Sequence, residues 1–196
     1  MKHKKGGFPV RLLVRCALTA ALYASLTMVL APISFGPVQF RISEAMCILP
    51  LFFPEAVIGL FVGCITANFM TPNIPFLDVV FGSAATLAAA AVTAAMRPRR
   101  RKKEENESSA IYKIPLAVKL LAPLPAVLIN AVVIGAVITF SMMSFGASGF
   151  AAAFVLNCLS VGAGQAVVCY ALGVPLIYII EKIYGTLNKR MDIYDG

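Results

Sequence analysis

The chain has 196 residues, of which 60% are hydrophobic and 13% are charged, against about 25% charged residues in ordinary soluble domains. The mean hydropathy is +0.86, and no charged residue occurs between Lys119 and Glu181. This composition excludes a soluble domain and predicts an integral membrane protein with several spans of roughly 20 apolar residues.

The net charge of +8 comes from basic residues at the edges of apolar segments, in the ranges 2–15, 97–119 and 182–190. This is the positive-inside pattern of cytoplasmic loops, so we expect no nucleic-acid partner. We expect a multi-pass protein in the lipid bilayer of a prokaryotic plasma membrane. The first apolar segment follows a basic head but has span length and no clear small-x-small cleavage site, which favours a retained helix over a signal peptide.

The apolar segments predict an all-α fold in one membrane domain, 1–196. The helices are predicted, in chain order, at about 11–31, 40–53, 55–70, 76–96, 115–143 and 150–181, with a basic cytoplasmic loop at 97–113. If 42–70 were a single span, the basic run 97–103 would face away from the basic N-terminus, against the positive-inside rule. A hairpin broken by Pro50 and Pro54 avoids this conflict, because proline interrupts a helix.

The interpretation is therefore six transmembrane helices with both termini cytoplasmic. The two arms of the hairpin have about 14 and 16 residues, or about 21 and 24 Å, which is short for a hydrocarbon core of about 30 Å. We expect them to be tilted or partly inserted helices that pack inside the bundle.

Scarce polar residues collect on the outer side of this topology. Arg41 is the one Lys or Arg that this topology does not place on the inner face, and Glu44 and Asp78 share its side. Charges in a bilayer are costly and are kept where they face a cavity or one another. We predict an outward pocket for a small, planar, polar ligand, lined by Gln39, Arg41, Glu44, Asn68, Asp78, Asn130, Asn157 and Gln165, with Phe40 and Phe76 stacking on a ring.

Structural roles are the alternatives for several of these residues. Arg41 and Glu44 are three apart and can pair with each other, and Asp78 can cap the helix that it begins. Asn130 and Gln165 can form hydrogen bonds between helices, as polar residues in membrane bundles do.

Neither a metal site nor a catalytic site is predicted. The five cysteines lie singly in apolar stretches, and the one histidine is His3, so metal-ligand spacing is missing and no thiol has a histidine to activate it. We expect no enzyme and no cofactor. The sequence has no GxxxxGK[ST] nucleotide loop, so any energy for transport comes from a partner or from an ion gradient.

Helix one carries two pairs of alanines with small-xxx-small spacing, Ala17 with Ala21 and Ala20 with Ala24. Such spacing lets a second helix approach closely. The approaching helix can belong to a partner protein or to the same bundle.

Three stretches of the chain resemble the QueT family of queuosine-precursor transporters. They are GPVQFRISEA at 36–45, FLDVVFGS at 76–83 and PLPAVLINA at 123–131, and the resemblance runs from helix one to helix six. It implies a six-helix substrate-binding S component of an energy-coupling factor (ECF) transporter, which captures a vitamin-like ligand at the outer face. Such components dock on a scaffold membrane subunit and two ATPases, and the alanine pairs of helix one match their docking motif.

The resemblance also implies a 7-deazaguanine ligand, such as the 7-aminomethyl or 7-cyano base, or queuine. Glu44 or Asp78 would accept from the N–H groups of its guanine-like edge, and a second carboxylate would favour the aminomethyl cation over the neutral nitrile. One alternative is an S component for riboflavin or another ring vitamin. Another is a solitary gradient-driven transporter in which Asp78 or Glu44 carries a proton.

Overall fold

The structure is a computed structural model that describes residues 10–34, 39–71, 76–98, 114–142 and 148–194. In the last range, side chains are described to Tyr184 and at Thr186. Residues 36–38 of the first family-like stretch and residues 99–113 of the basic loop lie outside the described residues. The described residues form helices and connecting turns with no strand, which confirms the all-α prediction.

The helical elements follow the predicted order with finer divisions. In chain order they are α1 (Val10–Val29), α2 (Ala31–Ser34), a 3₁₀ helix (Ile42–Leu51), α3 (Ala56–Met70), a π turn (Asp78–Gly82), α4 (Ser83–Ala95), α5 (Leu116–Leu121), α6 (Leu124–Met142), α7 (Phe150–Val168), a second π turn (Cys169–Gly173) and α8 (Val174–Tyr194). The sixth predicted helix therefore contains a π turn and runs beyond residue 181.

Four helical stretches within the described residues are long and apolar enough to cross a membrane. They are Val10–Val29, Asp78–Ala95, Leu116–Met142 and Phe150–Tyr184, whereas Ile42–Leu51 and Ala56–Met70 are shorter apolar helices. The two short elements are the two arms of the predicted hairpin. Several apolar spans are thus present, and the count of six crossings stays a prediction.

Neighbouring elements pack with alternating directions along the chain. The 3₁₀ helix runs antiparallel to α1, and α3 runs parallel to α1. The helices α3, α4, α6 and α7 pack in this order, and each runs antiparallel to the one before it. The pairs that fix these directions are Thr27 with Ser43 and Arg15 with Phe53, Cys16 with Gly59 and Ala20 with Gly63, Cys64 with Thr86 and Asn68 with Gly82, Thr93 with Ala122 and Ile134 with Gly82, and Thr139 with Asn157 and Ala131 with Gly162. The chain therefore turns back between Leu51 and Ala56, where Pro54 interrupts it.

Two glycines of α3 bring that helix against α1. A Cβ atom on Gly59 would lie 2.8 Å from the carbonyl oxygen of Cys16, and one on Gly63 would lie 2.8 Å from that of Ala20. Only glycine permits this approach, and its spacing of four residues keeps both contacts on one face of α3. The close packing of α1 on α3 therefore depends on a glycine pair, with Ala20 on the opposing face.

One end of the bundle holds a buried ion pair. The Lys119 ammonium lies 2.5 Å from the Glu181 carboxylate and 3.8 Å from the centre of the Tyr178 ring, while the Ile114 amide donates to the other carboxylate oxygen. Both charged side chains are about nine-tenths buried. This pair joins α5 to α8, so the first turns of the fifth predicted helix and the end of the sixth lie at the same end of the bundle.

Candidate ligand-binding site

The Glu44 carboxylate lies at the centre of the bundle and is held by three side chains. The Tyr23 hydroxyl of α1 donates to one oxygen at 2.5 Å, and the Thr86 hydroxyl of α4 lies 3.2 Å from the same oxygen. The Cys47 thiol, one turn along the 3₁₀ helix, lies 2.9 Å from the other oxygen. Glu44 is fully buried, and these donors supply the hydrogen bonds that a buried carboxylate requires.

Arg41 pairs with Asp78 across the bundle. The guanidinium lies 3.7 Å from the Oδ2 atom of Asp78, and both side chains are more than nine-tenths buried. Arg41 precedes the 3₁₀ helix and Asp78 begins the π turn, so this contact joins two elements far apart in sequence. Asp78 does not cap its helix, because residues 76 and 77 before it are already helical.

Asn68 of α3 lies between the Asp78 backbone and Cys64, which also contacts Arg41. Its amide nitrogen donates to the backbone carbonyl of Asp78 at 3.1 Å and lies 3.6 Å from the sulfur of Cys64. The Arg41 guanidinium also contacts this sulfur, at 3.8 Å, and the Thr86 hydroxyl lies 3.4 Å from it. Cys64 therefore contacts Arg41 directly, and it also contacts Asn68 and Thr86, which bind Asp78 and Glu44.

The π turn sets the polar face of the fourth helical stretch. Asp78, Gly82 and Thr86 follow at intervals of four residues, so they lie on one face. A π turn widens the helix locally and is often found at functional sites. Here its first residue turns a carboxylate into the bundle, and Thr86 from the following turn reaches Glu44.

Asn130 and Gln165 approach the same region from α6 and α7. Both side chains are 2% exposed. Since α4 and α6 are antiparallel and Gly82 contacts Ile134, Asn130 lies one turn further along, at the level of Thr86. Gln165 accepts from the Cys169 thiol at 3.7 Å, and this thiol also lies 3.7 Å from the backbone oxygen of Glu44.

A comparison with family models shows where this bundle belongs. Residues 13–182 match the model described as "QueT transporter", which covers most of the chain. The chain belongs to the QueT transporter family. This confirms the family predicted from the sequence, and the family is one of transporters rather than enzymes.

One curated relative has a similar sequence over part of the chain. The "Queuosine precursor transporter QueT" of Lactococcus lactis subsp. cremoris (strain MG1363) is 39% identical over 77 residues, which are 38% of this chain and 44% of the relative. The aligned region thus spans less than half of either protein. No solved structure matches the chain.

Six of the predicted site residues of this QueT family member meet in the polar centre described above: Arg41, Glu44, Asn68, Asp78, Asn130 and Gln165. Asn157 instead donates to the Thr139 hydroxyl at 2.9 Å, which joins α7 to α6. Gln39 is buried before the 3₁₀ helix and Phe40 is half-buried, whereas Phe76 is 76% exposed. The structure therefore brings together the three charged residues and three of the five amide residues, and it places neither Asn157 nor Phe76 among them.

Five residues of the centre were not among the sequence predictions: Tyr23, Cys47, Cys64, Thr86 and Cys169. Thr86 carried a usable signal, because it is a polar residue in an alanine-rich helix at a four-residue interval from Gly82. Cys47 and Cys64 lie singly in apolar stretches, which gave no reason to place them in the site, but their thiols contact Glu44, Asn68 and Arg41. Within the described residues, no group of three or more His, Cys, Asp or Glu is placed to hold a metal ion.

The alanine pairs of α1 divide between two environments. Ala24 is buried and Ala20 lies against Gly63 of α3. Ala17 and Ala21 are exposed on another face of the helix. One pair thus packs inside the bundle, and the other is accessible to a second helix.

Proposed function

We propose that the chain is the substrate-capture subunit for uptake of a queuosine precursor, a 7-deazaguanine base, and that it hands this base to an ATP-driven ECF module. The observation that carries the proposal is the buried polar centre of a QueT family member, with Arg41, Glu44 and Asp78 supported by amides. The curated relative is named as a queuosine precursor transporter. A deazaguanine is planar and polar, and its edge offers the N–H and carbonyl groups that carboxylates, amides and a guanidinium bind.

Charge balance favours a cationic form of this base. With their ordinary charges, Arg41 supplies one positive charge while Glu44 and Asp78 supply two negative charges, all in a region that is at least 95% buried. Buried charge is costly unless it is paired. A ligand with one positive charge neutralises the excess, so we expect the 7-aminomethyl base to bind more tightly than the neutral 7-cyano base.

The site fits an outward-facing position in a cell membrane. The Lys119–Glu181 pair marks the end of the bundle next to the basic loop, which the positive-inside rule assigns to the cytoplasm. Arg41 and Asp78 begin the second and fourth apolar segments, which enter the membrane from the opposite end in a six-crossing arrangement. Both termini would then be cytoplasmic, and the base would be captured outside the cell.

Helix α1 is the proposed contact with the scaffold membrane subunit. Among the four long apolar stretches it is the least buried, since only 17% of its most apolar 18 residues are buried inside the bundle. Ala17 and Ala21 are exposed on it and allow another helix to approach closely. Since Ala20 already packs against Gly63, the partner surface is centred on the exposed pair.

Calorimetric binding to the purified, detergent-solubilised chain tests the substrate. The ligands are the 7-aminomethyl and 7-cyano bases, with riboflavin as the control ring vitamin. We expect the aminomethyl base to bind best and riboflavin not to bind. Binding of riboflavin without binding of either base would retain a capture subunit and reject the queuosine precursor.

Uptake and co-purification test the energy coupling. We expect uptake of the labelled base to need the two ATPases and the scaffold subunit. Ala21→Leu should weaken co-purification with the scaffold and leave base binding intact, whereas Ala20→Leu should disturb the α1–α3 packing itself. Uptake that continues in cells without the ATPases would instead identify a solitary gradient-driven transporter.

A further inference from the structure

A groove opens on the surface of the bundle, between α1, the 3₁₀ helix and the first residues of α3. Its volume is about 160 Å³. Most of its wall is apolar and is formed by Leu18, Leu22, Met46, Leu49, Phe53 and Ala56. We call it the α1 groove, and its apolar wall suits a hydrocarbon chain rather than a polar solute.

The α1 groove has a charged mouth, where Arg15 and Glu55 line it. The guanidinium of Arg15 lies 2.9 Å from the Glu55 carboxylate and 5.1 Å from the centre of the Phe53 ring. This ion pair uses one N–H group of a guanidinium that carries several, and 56% of the Arg15 side chain is exposed. Arg15 is therefore held in position and still has donors for a ligand at the mouth.

The charge around this mouth is positive. Arg11 is exposed one turn earlier on α1, on the same face as Arg15. Arg97, which follows α4, interacts electrostatically with the Glu55 carboxylate. With their ordinary charges, three arginines and one glutamate leave an excess of two positive charges, so an anionic group complements the mouth.

The depth of the α1 groove matches one leaflet of a bilayer. Between Arg15 and Leu22, α1 rises about 10 Å, which lies within half of a hydrocarbon core of about 30 Å. The positive-inside rule assigns this end of the bundle to the cytoplasm, and the cytoplasmic leaflet carries the anionic lipids that basic pockets between membrane helices bind. A molecule with an anionic head at Arg15 and a hydrocarbon chain toward Leu22 therefore fits the site.

The α1 groove lies on a different flank of α1 from the exposed alanines. Leu18 and Leu22 each follow one of these alanines directly, and one residue turns an α-helix by about 100°. The bulky side chains of the groove flank face a charged mouth, whereas the alanine flank is flat and uncharged. The groove is thus a separate surface from the proposed scaffold contact.

We propose that the α1 groove is a binding site for one anionic phospholipid of the cytoplasmic leaflet. One acyl chain lies along Leu18, Leu22 and Met46, and the phosphate accepts hydrogen bonds from Arg15. The lipid bridges α1 and the 3₁₀ helix that carries Glu44. This site is independent of the ligand that the polar centre takes.

A single tryptophan in the groove tests the proposal, because the chain contains none. Leu18→Trp places it in the groove wall, three residues after Arg15. Ile58→Trp is the matched control, three residues after Glu55 and outside the groove. Leu18 and Ile58 are exposed to similar degrees, 58% and 52%. The full-length variants are reconstituted in phosphatidylcholine vesicles that contain either brominated phosphatidylglycerol or brominated phosphatidylcholine, and quenching of the tryptophan fluorescence is measured.

We expect phosphatidylglycerol to be preferred over phosphatidylcholine by at least about fivefold at Leu18→Trp, and the two lipids to quench Ile58→Trp equally. Adding Arg15→Gln, which keeps a hydrogen-bond donor for Glu55, should reduce the preference to about twofold or less. Lys182→Gln removes a basic residue near the same end and should leave the preference unchanged. If Arg15→Gln lowers the melting temperature, Arg11→Gln changes only an exposed side chain and should also reduce the preference.

Three results would overturn the proposal. The first is equal quenching of Leu18→Trp by the two brominated lipids. The second is quenching of Ile58→Trp but not of Leu18→Trp, which would show that protein covers the groove. The third is a full preference for phosphatidylglycerol in both arginine variants.

Discussion

The hydrogen bond from Tyr23 to Glu44 predicts a large effect of removing one hydroxyl group. Tyr23→Phe deletes the 2.5 Å donor to a fully buried carboxylate and leaves the ring packing unchanged. Hydrogen bonds to charged groups contribute about 1.5–3 kcal/mol. For a chain of this size, about 1 kcal/mol shifts the melting temperature by roughly 2–4 °C, so the expected decrease is about 3–12 °C.

Tyr170→Phe is the matched control for this experiment. The Tyr170 hydroxyl donates to the backbone carbonyl of Leu120 at 2.8 Å, which is a neutral acceptor, and the side chain is half-buried. A neutral hydrogen bond contributes about 0.5–1.5 kcal/mol. From the middle of these two ranges, the Tyr23 variant should melt about twice as far below the wild type as the control does.

A thiol-reactive fluorescent dye gives the readout in detergent. Cys47, Cys64 and Cys169 are buried and become reactive when the bundle unfolds, and the chain has no tryptophan for intrinsic fluorescence. Combining Tyr23→Phe with Glu44→Gln should cost less than the sum of the single changes, because both remove the same contact. Equal shifts for the two tyrosine variants, or strict additivity, would refute the role given to this hydrogen bond.

Two further changes test the packing of the bundle. Gly63→Ala should destabilise the chain by about 1–3 kcal/mol, because its methyl group would lie 2.8 Å from the backbone oxygen of Ala20. Melting in the dye assay measures this loss. The control is Gly162→Ala, whose methyl group would meet only the Ala131 methyl at 3.2 Å, and a shift no larger than that of the control would contradict the prediction. Lys119→Met should lower the free energy of unfolding by about 3–5 kcal/mol, because it leaves Glu181 buried without its cation. Adding Glu181→Gln should restore part of this stability. A double variant that is no more stable than the single one would argue against the ion pair.

Hydropathy and charge position were sufficient to predict the order of the helices. The basic run that starts at Arg97 requires an even number of membrane crossings before it, and the break at Pro54 divides one apolar segment into two crossings. In the structure, α3 runs parallel to α1, so the chain does turn back between them. These features depend on sums over long segments, which single side chains alter little.

The composition of the polar centre could be predicted only in part. Arg41, Glu44 and Asp78 are visible because charges are rare in apolar segments. Tyr23 could not be recognised, since its role depends on the rotation of α1 relative to the 3₁₀ helix. That rotation is set by the close approach of α1 to the glycines of α3, which involves residues some 40 positions apart and leaves no local pattern in the sequence.

The short second segment is explained by what surrounds it. Ten residues in a 3₁₀ helix extend about 20 Å, since this helix rises about 2.0 Å per residue, and this is still less than a hydrocarbon core of about 30 Å. Eight of the ten residues, Glu44 among them, are buried against α1, α4 and the second π turn. The requirement for a long apolar span applies to helices that face lipid, whereas backbone enclosed by protein is tolerated at membrane depth in other forms. The same enclosure that permits a short helix thus shields its carboxylate from lipid, and it places the charged centre between helices, where a small ligand can be held.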